Sequence, residues 1–119
     1  MAWSLLIVDD HPDFRRAARE LLSSREFVVV GEATGATDAI RLAATLEPEL
    51  VLLDIRLPDG DGFAVAESLA GMPVRPAVVL TSSHDTTVFR DRLAAAPVRG
   101  FLPKDDLSVG RLLALIGGP

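Results

Sequence analysis

Five short runs of aliphatic residues alternate along the chain with longer segments in which apolar residues recur at helical spacing. A continuous aliphatic run is typical of a strand buried on both faces, and apolar residues at i, i+3 and i+4 are typical of a helix packed on one side. The alternation predicts a βα repeat, in which parallel strands form a sheet that helices cover on both faces. No other feature of the sequence constrains the fold as strongly.

The predicted strands are short, and the helices between them are longer. The strands are residues 5–8, 27–30, 50–53, 77–80 and 100–102. A first helix begins near Pro12, where the missing N–H costs nothing, and presents on one face Phe14, Ala17, Ala18, Leu21 and Leu22. A second helix presents Ala36, Ala39, Ile40 and Ala43 and closes at Glu47 and Pro48. The remaining predicted helices are residues 63–69, 87–96 and 107–116.

The length of the chain selects one architecture among the βα folds. At 119 residues it fits one domain and is too short for an eight-unit barrel, which takes roughly 200 residues or more. We predict a single α/β domain over residues 1–119, with residues 117–119 as a candidate start of a linker. The sheet is expected to have five parallel strands in the order 2-1-3-4-5, doubly wound as in flavodoxin-like folds. Such sheets bind ligands beyond the carboxyl ends of their strands, between the first and third.

Composition excludes several classes of function. The chain has no cysteine, which excludes disulfides, thiolate metal sites and a cysteine nucleophile. A formal charge of −5 argues against direct binding of nucleic acid. The sequence shows neither a signal peptide nor an apolar run near the roughly 18 residues that span a bilayer, so a cytoplasmic location without membrane association is expected. P-loop and dinucleotide-binding motifs are absent as well.

Polar side chains follow four of the five predicted strands. In chain order they are Asp9 and Asp10, then Asp54, then Thr81 and Ser82, and finally Lys104, the only lysine beside eleven arginines. Taken singly, each has a structural interpretation as a turn residue, a helix cap or a solvated loop charge. Together at one sheet edge, the carboxylates would repel unless a cation neutralised them, and oxygen ligands with no histidine or cysteine nearby favour Mg²⁺. The hydroxyl and the ammonium suit a phosphoryl group, which an aspartate can accept as an acyl phosphate.

Four segments resemble the signature segments of response-regulator receiver domains, in the order and spacing of that family. They are residues 7–12 (IVDDHP), 53–62 (LDIRLPDGDG), 79–82 (VLTS) and 100–104 (GFLPK). The resemblance extends over essentially the whole chain. The Asp-Asp-His-Pro start and the Lys-Asp pair after the fifth strand resemble the LuxR-type subgroup, whose members usually carry a C-terminal helix-turn-helix domain.

The resemblance implies roles for the residues at the strand ends. Asp54 corresponds to the phosphoacceptor. Asp10 and Asp54 correspond to carboxylate ligands of Mg²⁺, Arg56 to a ligand through its backbone carbonyl, and Asp9 to a residue that assists through water. The implied function is a phosphorylation switch of a two-component system, which assists its own phosphorylation and dephosphorylation but is not an ordinary enzyme.

Further positions correspond to the residues that hold, sense and time the phosphoryl group. Thr81 and Lys104 correspond to its donors, and Thr81 with Phe101 to the switch pair. Arg56 and Ser83 correspond to the variable positions that tune the phosphate lifetime. The implied partners are a sensor histidine kinase and a second copy of the domain, which would meet the surface of the fourth helix, fifth strand and fifth helix.

Two other functions compete with this interpretation. A pseudo-receiver that only binds partners would have lost the acceptor, the acid pair or the lysine, and all of these are present. A phosphatase of the haloacid-dehalogenase type also uses an aspartate nucleophile with Mg²⁺, but it needs a second acid two residues later, where this chain has Arg56. One departure from the receiver pattern is Pro97 in the segment before the fifth strand, which stiffens that loop and removes a donor.

Overall fold

Strands and helices alternate along the chain as the sequence pattern predicts. The computed structural model describes residues 2–83 and 89–117. Its elements are β1 (Trp3–Val8), α1 (Pro12–Leu22), β2 (Phe27–Ala33), α2 (Ala36–Leu46), β3 (Leu50–Asp54), β4 (Arg56–Leu57), β5 (Gly60–Asp61), α3 (Gly62–Ala70), β6 (Ala77–Ser82), α4 (Arg90–Ala95), β7 (Gly100–Pro103) and α5 (Val109–Leu115). A 3-10 turn, Lys104–Asp106, precedes α5. In this part of the chain, no helix combines the length and the apolar character needed to cross a membrane.

The main sheet has five parallel strands in the order β2-β1-β3-β6-β7. This confirms the predicted order, because β6 and β7 are the fourth and fifth strands of the sequence pattern. In the pairing of β3 with β6, Asp54 lies opposite Thr81. In the pairing of β1 with β3, Val8 lies opposite Leu53, so Asp9 and Asp54 follow at the same edge. The register therefore brings the polar strand ends together.

Each face of the sheet carries its own apolar core. Leu6 and Val8 of β1 belong to the core under α2 and α3, while Leu5 and Ile7 belong to the core under α1 and α5. Successive side chains of a strand point to opposite faces. A strand covered on both sides must therefore be apolar at every position, which explains the continuous aliphatic runs.

Several boundaries differ from the predictions. β2 extends to Ala33 rather than ending at residue 30, and an irregularity in its pairing with β1 accommodates the additional residue Val30. The short antiparallel pair of β4 and β5 was not predicted. On α1, Ala18 and Leu22 are buried as expected, whereas Ala17 and Leu21 are exposed, because the buried stripe of this helix is narrower than its apolar stripe.

Within the described residues, the fourth helix spans Arg90–Ala95, inside the predicted span 87–96. α4 begins at Arg90, and the first residues of the predicted span 87–96 lie outside the described residues.

The fifth helix, predicted over residues 107–116, begins at Val109, because Ser108 caps its N terminus by accepting a hydrogen bond from the N–H of Arg111. The candidate linker at residues 117–119 is described only as far as Gly117.

Gly62 allows α3 to begin directly against the end of β3. Its N–H donates to the Ile55 carbonyl at 2.7 Å, and a Cβ at this position would lie 2.5 Å from the Asp54 carbonyl oxygen. Real Cβ atoms do not approach backbone this closely, so only glycine fits without a shift. The position of the segment after Asp54 therefore depends on this residue.

We predict that Gly62→Ala lowers the free energy of unfolding by about 1–3 kcal/mol, because the added methyl group forces backbone apart. Gly110→Ala is the matched control, since a Cβ there meets nothing within 4 Å and the residue lies in α5. The control should gain up to about 1 kcal/mol from helix propensity. Urea denaturation measures both, and a Gly62→Ala protein as stable as wild type would contradict the packing argument.

Candidate functional site

Acidic side chains from the loop that follows β1 and from the end of β3 converge at the carboxyl edge of the sheet. Asp9 is 0% exposed and Asp54 is 4% exposed, whereas Asp10 lies at the surface. Together these three residues form what we call the carboxylate cluster. One ligand atom from each of them, and one from His11, all lie within 4.8 Å of one another. The structure thus brings together the three acids that the sequence placed at neighbouring strand ends.

Lys104 places one ammonium group against the two buried carboxylates. Its Nζ lies 2.6 Å from Asp9 Oδ2 and 3.3 Å from Asp54 Oδ2. The same Nζ lies 4.5 Å from the centre of the Phe14 ring, which offers a second favourable contact for a cation. Because the carboxylate cluster has three negative charges and Lys104 supplies one positive charge, the cluster and Lys104 together keep a formal charge of −2, which one divalent cation would cancel.

The two buried aspartates respond differently to this environment. Burial raises the pKa of Asp54, the charge of Asp9 raises it further, and Lys104 offsets only part of the increase. Burial also acts to raise the pKa of Asp9, but hydrogen bonds from Lys104 and His11 outweigh it and hold that pKa below its ordinary value. Burial acts to lower the pKa of Lys104, and the two carboxylates raise it overall. The negative charge of Asp54 is therefore the less stabilised of the two.

A histidine belongs to the cluster, contrary to the expectation of oxygen ligands with no histidine or cysteine nearby. His11 Nδ1 lies 2.8 Å from Asp9 Oδ1 and 3.1 Å from Asp10 Oδ1. The His11 backbone N–H donates to the same Asp9 oxygen at 2.8 Å. The sequence order Asp-Asp-His was the available signal, since the turn after β1 folds residue 11 back onto residue 9.

The backbone of Asp9 is held from the neighbouring strand β2. Its N–H donates to the Ala33 carbonyl at 3.0 Å, and its carbonyl accepts from Arg15 Nη1 at 2.7 Å. Arg15 Nε in turn donates to Glu32 at 3.1 Å, and Arg19 Nε donates to the other oxygen of Glu32 at 2.7 Å. These two arginines hold the pKa of Glu32 below its ordinary value. The ion-pair network was not predicted, because sequence spacing does not reveal contacts between α1 and β2.

Thr81 contributes a buried hydroxyl next to Asp54. The residue is 1% exposed, and its Oγ1 has no hydrogen-bond partner among the residues that the structure describes. A buried hydroxyl without a partner is costly and calls for an explanation, such as a group that binds in this position. Ser82 is also buried, whereas Ser83 lies at the surface.

Two other predicted residues flank the cluster. Arg56 is exposed, and its backbone N–H donates to Asp54 Oδ1 at 3.3 Å. Phe101 lies opposite Leu80, one residue before Thr81, and packs half-buried against the same core as Phe89 and Leu93 on the α4 side. The aromatic ring therefore lies on the same face of the sheet as α4.

The segment that follows Asp54 is tied to α2 and to α4. Asp59 accepts from the first two N–H groups of α2 at 2.6 and 3.1 Å, which lowers its pKa. Asp61 caps α3, and one of its oxygens lies 3.3 Å from Nη2 of Arg92 on α4. The Arg92 guanidinium also lies 4.2 Å from the centre of the Phe63 ring. None of these three long-range contacts was predicted from the sequence, because each joins elements distant along the chain.

Comparisons with known proteins agree with the observed fold. A family model described as the response regulator receiver domain matches residues 5–116. The chain is 35% identical over 104 residues to the virulence transcription regulator BvgA of Bordetella pertussis, an alignment that covers 86% of this chain and 49% of BvgA. The chain spans about half the length of BvgA and of two other curated relatives, whose lengths it covers to 53% and 48%.

Two solved structures are similar over nearly the full chain. The signal receiver domain of NarL from Mycobacterium tuberculosis superposes with a TM-score of 0.88 at 32% identity, covering 98% of both chains. A LuxR-family two-component response regulator from Aurantimonas sp. SI85-9A1 superposes with a TM-score of 0.84 at 26% identity, covering 98% of this chain and 83% of the other.

We predict that Asp54→Asn stabilises the domain in metal-free buffer by on the order of 1 kcal/mol, because it removes a buried charge that the environment disfavours. Asp106→Asn is the matched control: it changes the net charge equally at an exposed position, so its effect should stay within about 0.5 kcal/mol. Thermal unfolding with a chelator present measures both variants. A less stable Asp54→Asn protein would show that the Lys104 contact outweighs burial and repulsion.

Proposed function

Because this chain belongs to the response regulator receiver domain family, we propose that it is a phosphorylation switch whose phosphoacceptor is Asp54. The observation that carries this proposal is the arrangement around that carboxylate. Lys104 Nζ lies 3.3 Å from it, and the buried hydroxyl of Thr81, which has no partner in the part of the chain that the structure describes, lies on the adjacent strand. A nucleophile with two donors beside it suits a tetrahedral, multiply charged group.

The proposed reaction transfers a phosphoryl group from a sensor histidine kinase. A carboxylate oxygen of Asp54 attacks phosphorus, and the bond from phosphorus to the imidazole nitrogen of the kinase breaks as the new O–P bond forms. Lys104 and Thr81 then donate to the phosphoryl oxygens. Burial and the charge of Asp9 raise the pKa of Asp54, and carboxylates with perturbed pKa values cluster at functional sites. In this proposal the domain assists its own phosphorylation and the later hydrolysis of the acyl phosphate.

Mg²⁺ fits the residues of the carboxylate cluster. We assign its ligands to the carboxylates of Asp10 and Asp54 and the backbone carbonyl of Arg56, with Asp9 assisting through water. The net formal charge of −2 across the cluster and Lys104 supports a divalent ion with a preference for oxygen. When bound, the ion supplies positive charge that lets a carboxylate and a phosphoryl group approach each other.

Phosphorylation of Asp54 would alter the surface of the domain through changes in the positions of Thr81 and Phe101. A phosphoryl group adds roughly 1.5 to 2 negative charges beside the ends of β6 and β7. Movement of the Thr81 side chain towards it would free space that the half-buried ring of Phe101 can occupy, which would reshape the surface of α4, β7 and α5. We propose that a second copy of the domain binds this surface. Arg56 and Ser83, both exposed, are proposed to tune the lifetime of the phosphate.

The wider setting belongs to the same proposal. The relatives are transcriptional response regulators rather than ordinary enzymes, and this chain spans about half of their length. With a formal charge of −5, this domain is not expected to bind DNA itself, so regulation of transcription would require a further domain. A cytoplasmic location is part of this proposal.

We predict that a small phosphodonor and Mg²⁺ place one phosphoryl group on Asp54. Asp54→Asn should abolish the modification, because an amide is not a nucleophile of this kind, while Asp59→Asn, an exposed acid five residues later, should retain it. Intact mass and hydroxylamine lability measure the acyl phosphate. Phosphate found on Ser82 or Ser83 instead would refute the assignment.

We also predict that a beryllofluoride complex of the domain, which mimics the phosphoryl group, shifts NMR signals around Phe101 and promotes self-association in sedimentation. Thr81→Ala should blunt both effects because it removes the hydroxyl, and Thr81→Ser should largely preserve them. Shifts confined to the surroundings of Asp54, with an unchanged mass, would contradict the switch and leave the acceptor assignment intact.

A further inference from the structure

The His11 ring lies against the carboxylate cluster, although the negative charge of the cluster does not by itself require a histidine. Lys104 already contacts the two buried carboxylates, whereas His11 Nδ1 contacts the one exposed acid, Asp10, as well as Asp9. The His11 side chain is 64% exposed, so solvent and dissolved ions can reach it. An imidazole nitrogen therefore stands among carboxylate oxygens at a solvent-accessible edge.

We propose that this site also takes a late first-row transition ion, with Ni²⁺ as the representative, and that His11 Nδ1 is one of its ligands. Imidazole nitrogen suits Ni²⁺, Zn²⁺ and Cu²⁺, whereas carboxylate, carbonyl and water suit Mg²⁺. His11 therefore widens the ion preference of the same cluster to which we assign Mg²⁺, and the inference rests on that assignment. A neutral His11 ring that coordinates through Nδ1 carries its proton on Nε2.

The positions of the donor atoms fit one coordination sphere. Metal bonds to nitrogen and oxygen of about 2.0–2.2 Å place opposite ligands roughly 4.0–4.4 Å apart. The ligand atoms of Asp9, Asp10, His11 and Asp54 all lie within 4.8 Å of one another. The few tenths of an ångström that remain can be closed by the exposed side chains of His11 and Asp10, while Asp9 and Asp54 stay fixed in the core.

A second observation separates this cluster from an ordinary acidic surface patch. Beside Asp54, the Thr81 hydroxyl is buried and has no hydrogen-bond partner within the described residues, so the protein presents at this edge a polar group that a bound species would satisfy. The three carboxylates also exceed the single ammonium of Lys104 in charge. Both features favour an occupant that is a cation or that pairs with one.

The consequence is competition between two kinds of ion for one position. Mg²⁺ gains little from a nitrogen ligand, whereas Ni²⁺ gains strongly from it. A transition ion bound through His11 would therefore exclude the Mg²⁺ that phosphorylation is proposed to need. His11 thereby becomes a determinant of ion selectivity.

The test is calorimetric titration of the untagged domain with Ni²⁺ and, separately, with Mg²⁺. His11→Asn should weaken Ni²⁺ binding by about tenfold or more, as expected for loss of a nitrogen ligand, and should leave Mg²⁺ binding nearly unchanged. Asn keeps a polar group beside Asp9, which limits structural effects. His84→Asn, which removes the other histidine of the chain, is the matched control and should leave both affinities unchanged. Excess Mg²⁺ should also weaken the apparent Ni²⁺ affinity of wild type.

Three outcomes would overturn the inference. They are unchanged Ni²⁺ binding in His11→Asn, a loss confined to His84→Asn, and equal losses for both ions in His11→Asn, which would indicate a general effect on the fold. Wild-type protein that binds Ni²⁺ through His11 but does not bind Mg²⁺ would support the histidine ligand and contradict the proposed magnesium site. The two proposals can therefore fail separately.

Discussion

Two buried carboxylates that share one ammonium are the constraint on which this structure depends. Asp9 and Asp54 are brought together because β1 and β3 are neighbours in the sheet, and Lys104 reaches both from the end of β7. The ammonium does not neutralise the carboxylate cluster, so the folded domain retains an excess of negative charge at one edge. A hydrogen bond from the Asp9 N–H to β2 and one from Arg15 to the Asp9 carbonyl hold this backbone in place, and Gly62 lets α3 begin against β3.

The architecture could be predicted because it follows from local pattern. Continuous aliphatic runs require strands covered on both faces, and the polar residues at their ends then meet by topology alone. The missed contacts depend on three-dimensional proximity. His11 folds back onto Asp9, Arg15 reaches Glu32, and Asp59 caps α2 from a distant loop, and no periodicity in the sequence reports such pairs. The exposure of Leu21 was missed for a related reason. The spacing of apolar residues predicts which face of a helix is buried, but it does not predict how wide the buried surface is.

The surroundings of the site suit a switch in which a change in charge alters the conformation of the domain. The Asp9 side is tied to the sheet by backbone and side-chain hydrogen bonds. On the other side, the Thr81 hydroxyl has no partner among the described residues, and Phe101 is only half-buried against the α4 side of the core. Arg92 links α4 to Asp61, a few residues after the proposed acceptor. A change in charge at Asp54 therefore has packed and ionic contacts through which to reach α4.

The most direct test of the charge balance is to titrate the unphosphorylated domain with Mg²⁺. Calorimetry measures the binding, and thermal unfolding measures the change in stability. Wild type should bind one Mg²⁺ and become more stable, because binding to the folded state alone shifts the unfolding equilibrium. Asp10→Asn should weaken binding by about tenfold or more through loss of a carboxylate ligand. Asp13→Asn, an exposed acid on α1, should bind as wild type does. A melting temperature that does not change in millimolar Mg²⁺ would contradict the account. An Asp10→Asn variant with the Mg²⁺ affinity of wild type would also contradict it.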